Sequence, residues 1–596
     1  MKASVFLLAL VAACGGADLR TTVSLDAGTG DAGGCLSDSE CAPGTCTSGS
    51  CGPSTCNPSC PAWQTCTGRT CLLNPGGCNT DADCPAPLPV CNPSHQCTAP
   101  AVATPATLSY SALIVTNQAY APAFRELALL HTLTGVPTRV ITLEEICGPS
   151  GCSASDTCHD APRALKSYLI AQQQLGLRQV VLGGDASIVP SRQTSDHFSN
   201  AIYGVTYDET FYSDYYFADL SEWDTNGDCI YGDPINDSPG YLPSLGVTRI
   251  SVSSPEELNV YLGKVLAYLT RYDLSRINTA LLLSNIATEV TVPVINQTVP
   301  VDAALYFQTP KRTISLIPAA DEITRLYSSL KWPGASPLTV PAEETAFQQG
   351  YNLIVHSGHG DEGDLTVEQD GSNAFSGAMA EGLQNTQYPI LLSCACQAAT
   401  FADGDQCAGQ NFLTAPNGGG VGYLGNSTLG LGIAGGMQLI DGLLRAAFSS
   451  RNPLIGEAVL AGHANLPTSD GLDIPVPVIG TVTLSVIDAA SWRWTQKAAT
   501  YLGDGLLPFY TDATLTQAPS FSVSRKALGN FSKIAFTPSS GGPGVLAVAI
   551  GSSVYELSLD GSGSAVTLTV AGAPGQLALG FSSASTLSAF QRATLP

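Results

Sequence analysis

Charge is scarce in this chain, and basic charge is scarcer still. Only 12 % of the 596 residues are charged, and 25 Lys and Arg stand against 49 Asp and Glu, a formal net charge of −24. Binding to a phosphate backbone needs a basic surface, because the free energy comes from neutralising phosphates and releasing their counterions. Composition therefore excludes a nucleic-acid partner. Long apolar runs are lacking too: beyond the N-terminus no stretch is long and clean enough to cross a bilayer, which takes about 20 apolar residues. The cysteine-dense N-terminal segment also lacks the CxxC pairs through which zinc is commonly held. What the chain has in quantity is Gly plus Pro, 99 residues, and cysteine, 20 residues. Loop-rich composition with abundant cysteine fits an oxidising, extracytoplasmic compartment. A chain of 596 residues is too long for one core, so several folding units are expected.

At the N-terminus, Lys2 precedes the apolar run Val5 to Ala12, which has the length of a signal-peptide core and is too short to span. The run ends in Val11-Ala12-Ala13-Cys14-Gly15. This resembles a bacterial lipobox, so residues 1–14 read as a lipoprotein signal with Cys14 as the lipidation site. An ordinary signal peptide is the alternative. The protein is expected to be exported in either case, and to touch a membrane only through the lipid. Residues 15–34, rich in Gly, Ala, Asp and Thr, read as a flexible tether. Residues 35–97 hold twelve cysteines in three repeats of four: Cys35, Cys41, Cys46, Cys51; Cys56, Cys60, Cys66, Cys71; and Cys78, Cys84, Cys91, Cys97. Their apolar content is too small for a core, so covalent stapling must hold them, two bridges to a repeat. The segment reads as a stalk or as a module that binds a surface partner. A Pro/Ala/Thr linker occupies 98–109.

From Tyr110 the texture changes to short apolar runs alternating with helical periodicity. Ala112–Thr116, Thr138–Thr142, Gln179–Gly183 and Leu245–Ile250 read as strands, with helices over Ala121–Thr134, Ala161–Gly176 and Pro255–Tyr272. Alternation of this kind predicts a parallel α/β sheet. The pattern starts again with strands at Ala280–Ser284, Tyr351–His356, Pro389–Ser393 and Gly420–Leu424 and helices at Ile433–Phe448 and Leu454–Ala464. Two tandem α/β subdomains, 110–273 and 274–514, are therefore expected. Residues 515–596 break into short strands with Gly/Ser/Pro turns, the pattern of a small β-sandwich.

Functional groups of parallel sheets collect beyond the carboxyl ends of the strands. Two such ends carry nucleophile chemistry. Asn352-Leu-Ile-Val-His-Ser-Gly-His-Gly360 runs into a turn tipped by His359, and Pro389-Ile-Leu-Leu-Ser-Cys-Ala-Cys-Gln397 runs into Cys396. A thiol needs a base to attack a peptide carbonyl, and an imidazole can take its proton near neutral pH and return it to the leaving amine. Gly358 and Gly360 permit close approach of backbone to substrate, and N–H groups at Gly360 and Cys396 could hold an oxyanion.

Over about 110–596 these motifs resemble the gingipain family of cysteine endopeptidases, relatives of the caspases and legumains. That clan places His-Gly after one apolar strand and Ala-Cys after the next, here His359-Gly360 and Ala395-Cys396. Gly184-Asp185, Ser213-Asp-Tyr-Tyr-Phe217, Gly246-Val-Thr-Arg-Ile250 and Tyr501-Leu-Gly-Asp504 are similar as well. The resemblance implies a caspase-like sheet in two subdomains followed by an immunoglobulin-like sandwich, protein or peptide substrates, and calcium. It also implies an acid supporting the histidine, for which Glu289 is the candidate, and an acid lining the pocket for a P1 Arg or Lys, for which Asp302 is the candidate. Asp302 could equally begin a helix.

Cys394 is the rival nucleophile, since alternation along a strand puts it on the same side as Cys396. Once Cys14 and the repeats are set aside, Cys147, Cys152, Cys158, Cys229, Cys394, Cys396 and Cys407 remain, an odd number. Two bridges among the first four and a Cys394–Cys407 bridge would leave Cys396 free; a Cys394–Cys396 bridge would abolish activity. Asp224-Thr-Asn-Gly-Asp228 spaces oxygen donors as the start of a calcium loop does, with Asp224, Asn226 and Asp228 as ligands, although Cys229 stands where Gly is expected. An Asn-Gly turn is the alternative reading. Three functions follow from the sequence: an endopeptidase, an inactive surface-binding or adhesion protein on a protease scaffold, and a transpeptidase.

Overall fold

The computed structural model describes residues 45–595, except 48–49, 53–58, 68–69, 86–87, 149–150, 153–157, 159, 201–204, 293–296, 319–320, 367–372, 403–405 and 477–479. Contacts divide the chain into residues 1–100 and 101–596. In the first unit, a small antiparallel hairpin sets the third and fourth cysteines of each repeat opposite one another: Cys46 faces Cys51, Cys66 faces Cys71 and Cys91 faces Cys97. The third repeat closes two bridges of its own, Cys78–Cys91 and Cys84–Cys97. The second holds Cys60–Cys71. Cys35, Cys41 and Cys56 lie outside the described residues. Sulfurs of Cys78, Cys84 and Cys97 cluster closely, but all three are consumed in bridges and offer no thiolate to a metal.

The second unit is built on one sheet of eleven strands. In chain order they are β1 (Ala112–Thr116), β2 (Thr138–Thr142), β3 (Gln179–Gly183), β4 (Gly246–Ile250), β5 (Thr279–Ser284), β6 (Glu322–Tyr327), β7 (Ala335–Pro337), β8 (Leu353–Ser357), β9 (Ile390–Ser393), β10 (Gly422–Asn426) and β11 (Ala499–Gly503). Their spatial order is β7-β6-β5-β8-β9-β10-β11-β4-β3-β1-β2. The two expected subdomain sheets are thus one continuous sheet. The seam is β11, which runs antiparallel to β10 and meets β4 through Arg249 and Leu502. β1, β3, β5, β8 and β9 are buried along their whole length, which is why they read as unbroken apolar runs.

Helices flank the sheet: α1 (Ala121–Leu133), α2 (Ala161–Gln174), α3 (Pro255–Arg271), α4 (Ala303–Gln308), α5 (Val340–Gln349), α6 (Ala408–Thr414), α7 (Gly436–Ser449), α8 (Ile455–Ala464) and α9 (Ala489–Ala498). Their starts are chemically marked. Asp160 and Ser254 cap α2 and α3 by accepting the Arg163 and Glu257 N–H, and proline opens each first turn. Polar hairpins at 192–213, 286–302 and 470–487 stand outside the sheet, and their alternation carries no strong apolar signal.

The C-terminal strands form sheets of three and four strands around Phe521, Ile534, Phe536, Leu546, Val548 and Phe581. The last strand, Ala589–Thr594, was not foreseen. The sandwich packs on α1 where Gly580 lets Leu133 approach: a Cβ there would come within 2.2 Å of the Leu133 carbonyl oxygen. No helix among the described residues is long and apolar enough to cross a membrane.

One buried acid gives a pH prediction. Burial pushes the Glu343 carboxyl on α5 from 4.5 to about 8, and its Oε2 has no hydrogen-bond partner among the described residues. A raised folded value means that its contribution to stability is complete below about pH 4.5 and is lost as pH rises through about 8. Glu343→Gln is expected to leave the melting temperature at pH 4 unchanged and to raise it progressively between pH 5 and 8, as thermal scans in matched buffers would show.

Candidate active site

The His359 turn and the Cys396 turn meet. β8 and β9 are parallel neighbours, with His356 in register with Ser393. Beyond them a Cβ on Gly360 would fall 2.9 Å from Ala395 Cβ, so this glycine is what allows the two turns to touch. Gly358 has the Asn285 amide oxygen 2.0 Å from where its Cβ would be, which brings the end of β5 beneath the same turn. His359 is exposed, and its ring makes no hydrogen bond among the described residues.

β9 ends at Ser393, so the chain turns before Cys396 and strand alternation no longer governs the two thiols. Cys394 is buried, its N–H donates to the His356 carbonyl and its thiol lies 3.6 Å from Ser357 Oγ. Burial pushes that thiol up to about 11. Cys396 is half-buried and its thiol faces the Gly430 carbonyl at 3.6 Å. Burial, and then the negative charge of Glu209, raise this thiol above its ordinary value. Gln397 follows with φ 54°, a left-handed conformation that costs a non-glycine residue about 1 kcal/mol and marks a tightly constrained turn.

The last residue of β10 and the loop after it hold this turn in place. Asn426 Nδ2 donates to the Ala395 carbonyl at 2.8 Å, and the Gln397 N–H donates to the Thr428 carbonyl at 2.8 Å. Any side chain at Gly430 would collide with the Cys394 and Ala395 carbonyls. Beneath the turn, Arg249 is fully buried: Nε and Nη2 grip both oxygens of Asp214 at 2.7 Å, and Nη1 donates to the Gly184 and Val189 carbonyls. The Phe401 ring lies 4.6 Å from its guanidinium carbon. The Gly184, Ser213–Phe217 and Gly246–Ile250 motifs are thus one buried platform under the cysteine loop.

His356, three positions before His359 in the same motif, is fully buried and donates or accepts at Ser393 Oγ through Nδ1, 2.9 Å away. Burial and then the neighbouring His359 hold it down to about 3, so it stays neutral and structural. His463 and His131 are likewise buried, the latter 2.7 Å from Asp504.

The expected acids fall differently. Glu289 pairs in register with Pro300 in the 286–302 hairpin, and its side chain lies outside the described residues. Asp302 is the N-cap of α4: it accepts the Ala304 N–H at 2.8 Å and the Trp332 indole N–H at 3.0 Å, with Lys331 Nζ 3.6 Å away. The bridge expected between Cys394 and Cys407 is not formed, and neither is one between Cys394 and Cys396; all three are free. The remaining pairs are Cys147–Cys152 and Cys158–Cys229.

Of the three residues read as calcium ligands, Asn226 accepts the Asp228 N–H at 3.2 Å, as in an Asn-Gly turn, and its Nδ2 donates to Asp228 Oδ2 at 2.6 Å, while Asp224 is buried 3.7 Å from the Arg163 guanidinium. Among the described residues, no cluster of three ligand groups combines Asp224 with Asp228. Sequence reading missed Asn285, Thr428, Gly430 and Glu209. Asn426-Ser-Thr428 was findable, because it follows a predicted strand next to the cysteine strand; Glu209 lies on a hairpin with no such signal.

Comparison with known proteins places the chain. The model of a family described as "Peptidase family C25" matches residues 106–510. The solved structure of the Arg-specific cysteine proteinase gingipain R (RgpB) is 14 % identical, with a TM-score of 0.51, covering 83 % of this chain and 100 % of that one. The complex of the Porphyromonas gingivalis RgpB pro- and mature domains is 13 % identical, with a TM-score of 0.51, over 81 % of this chain and 100 % of the other. A structure titled "Structure of Protease" is 16 % identical, with a TM-score of 0.50, over 82 % and 98 %. At such identities the likeness is one of fold. The search of curated proteins found no match.

Proposed function

Since the chain belongs to peptidase family C25, we propose that it is a cysteine endopeptidase whose nucleophile is Cys396 and whose base is His359. The observation that carries this reading is the meeting of the two turns at Gly360 and Ala395, beside the half-exposed Cys396. His359 takes the thiol proton, and the Cys396 sulfur attacks the scissile carbonyl carbon. The oxyanion is held by the N–H groups of Gly360 and Cys396; that of Cys396 donates to no protein oxygen among the described residues. Return of the proton to the amine releases the first product, and water then hydrolyses the thioester. Cys394 is unsuited to the role, because its thiol is enclosed and held protonated.

Cleavage after Arg or Lys is part of the proposal, as is export with a lipid on Cys14. A role for Asp302 in choosing the P1 residue meets competition from the α4 N-terminus, Trp332 and Lys331, which already occupy its carboxylate. The test is a peptide-library cleavage profile of the whole chain together with iodoacetamide labelling read by mass spectrometry. Cleavage at defined sites is expected, with Cys396 labelled ahead of Cys394 and Cys407. Absence of cleavage by a protein whose Cys396 labels no faster than the buried thiols would refute the reading.

A further inference from the structure

One carboxylate is tied to the loop that holds the cysteine turn and has no cation of its own among the described residues. Glu209 lies on the second strand of the 192–213 hairpin, half-buried, and accepts the Thr428 hydroxyl hydrogen at 2.5 Å. Thr428 is the residue whose carbonyl takes the Gln397 N–H, and Gly430, two positions on, faces the Cys396 thiol. The chain of contacts from Glu209 to the cysteine turn is therefore short. Directly across the hairpin stands Asp196, an acid in the same register. Asp196 is fully compensated, since Arg493 Nη2 and Lys497 Nζ lie 2.8 and 2.6 Å from its oxygens. Those two cations are thereby used. Glu209 has no ion-pair partner among the described residues. A carboxylate beside a nucleophile, held by one hydroxyl and lacking a counter-ion, is a receptor for a cation that arrives with the substrate.

We propose that Glu209 is a specificity-determining residue which pairs with a guanidinium or ammonium group of the substrate next to the scissile bond. This rests on the peptidase reading and adds a coupling to it. By itself the Glu209 charge disfavours ionisation of Cys396. A cationic substrate neutralises that charge, so the thiol gives up its proton to His359 more readily when the right substrate is bound. Recognition and activation of the nucleophile are then one electrostatic event.

Glu209→Gln tests it, because the amide oxygen can still accept the Thr428 hydroxyl and only the charge is removed. Two readouts are needed. The first is the ratio of kcat/KM for paired peptides with Arg or its neutral isostere citrulline at P1, which is expected to fall at least about tenfold in the variant. The second requires no peptidase activity: the rate of Cys396 modification by a cationic relative to a neutral methanethiosulfonate, which should fall roughly fivefold. Asp302→Asn, measured alongside, is expected to change neither ratio by as much. An unchanged reagent ratio in Glu209→Gln overturns the proposal whether or not peptides are cleaved. So does an Arg/citrulline ratio that collapses in Asp302→Asn and persists in Glu209→Gln. If the wild-type chain cleaves no peptide, the peptidase reading fails, and the reagent ratio alone decides whether Glu209 recognises cations at the thiol.

Discussion

Cys396→Ala is expected to bring peptide cleavage to background, a loss of at least about a thousandfold in kcat. The variant should still bind substrate, because the change removes a sulfur from a half-exposed turn and leaves the Ala395, Gln397 and Thr428 backbone contacts in place. KM for any residual activity should therefore move little. His359→Ala is expected to cost about 10²- to 10⁴-fold, the usual range for a lost general acid–base group, and to leave a rate that climbs with pH as hydroxide takes over the proton. Cys394→Ser supplies the control. Its thiol is enclosed, so most activity should remain. Steady-state kinetics of the three variants on one peptide, with folding checked by circular dichroism, settles the assignment. Full activity in Cys396→Ala, or loss confined to Cys394→Ser, would transfer the nucleophile to the other thiol.

Arg249→Met is expected to destabilise the second unit by about 3–5 kcal/mol, among the largest effects available to a single substitution away from the reacting groups. Arg249 is wholly buried and spends four hydrogen bonds on Asp214 and on the Gly184 and Val189 carbonyls. Methionine fills much of the volume and leaves the Asp214 charge uncompensated in a dry interior. The sign can be checked through its cause: adding Asp214→Asn should recover part of the loss, since the stranded charge is then gone. Arg249→Lys should fall between, because an ammonium keeps the charge and loses the two-pronged grip. Urea transitions of the four proteins measure this. Activity should decline in the same order, because the Phe401 ring on Arg249 belongs to the loop that carries Cys396. Equal stability of single and double variants would contradict the stranded-charge account.

How much of this was legible in the residues themselves follows from which interactions are local. Strand and helix positions in the α/β region were readable because burial on both faces makes a strand uniformly apolar and because helix caps are chemical marks next to the element they begin. The His359 and Cys396 motifs were readable for the same reason, each being a buried strand followed by a glycine-rich or cysteine-bearing turn. The polar hairpins and the strands β6, β7 and β11 escaped: β6 and β7 form a partly exposed edge beside β5, without an unbroken apolar run, and β11 joins the sheet beside β10 and β4, far along the chain.

By itself, then, the sequence determined the compartment-compatible composition, the cysteine repeats, the order of α/β and sandwich regions and the two strand-end motifs. Tertiary structure alone decided that the α/β halves share one sheet, that no bridge joins Cys394 to Cys407, and that Asp302 caps a helix. It alone linked Glu209 to the cysteine turn, through Thr428. The physical reason is common to all of these. Burial, thiol pairing and the field at a nucleophile depend on distances between residues remote in the chain, and no local pattern of residue types encodes such distances.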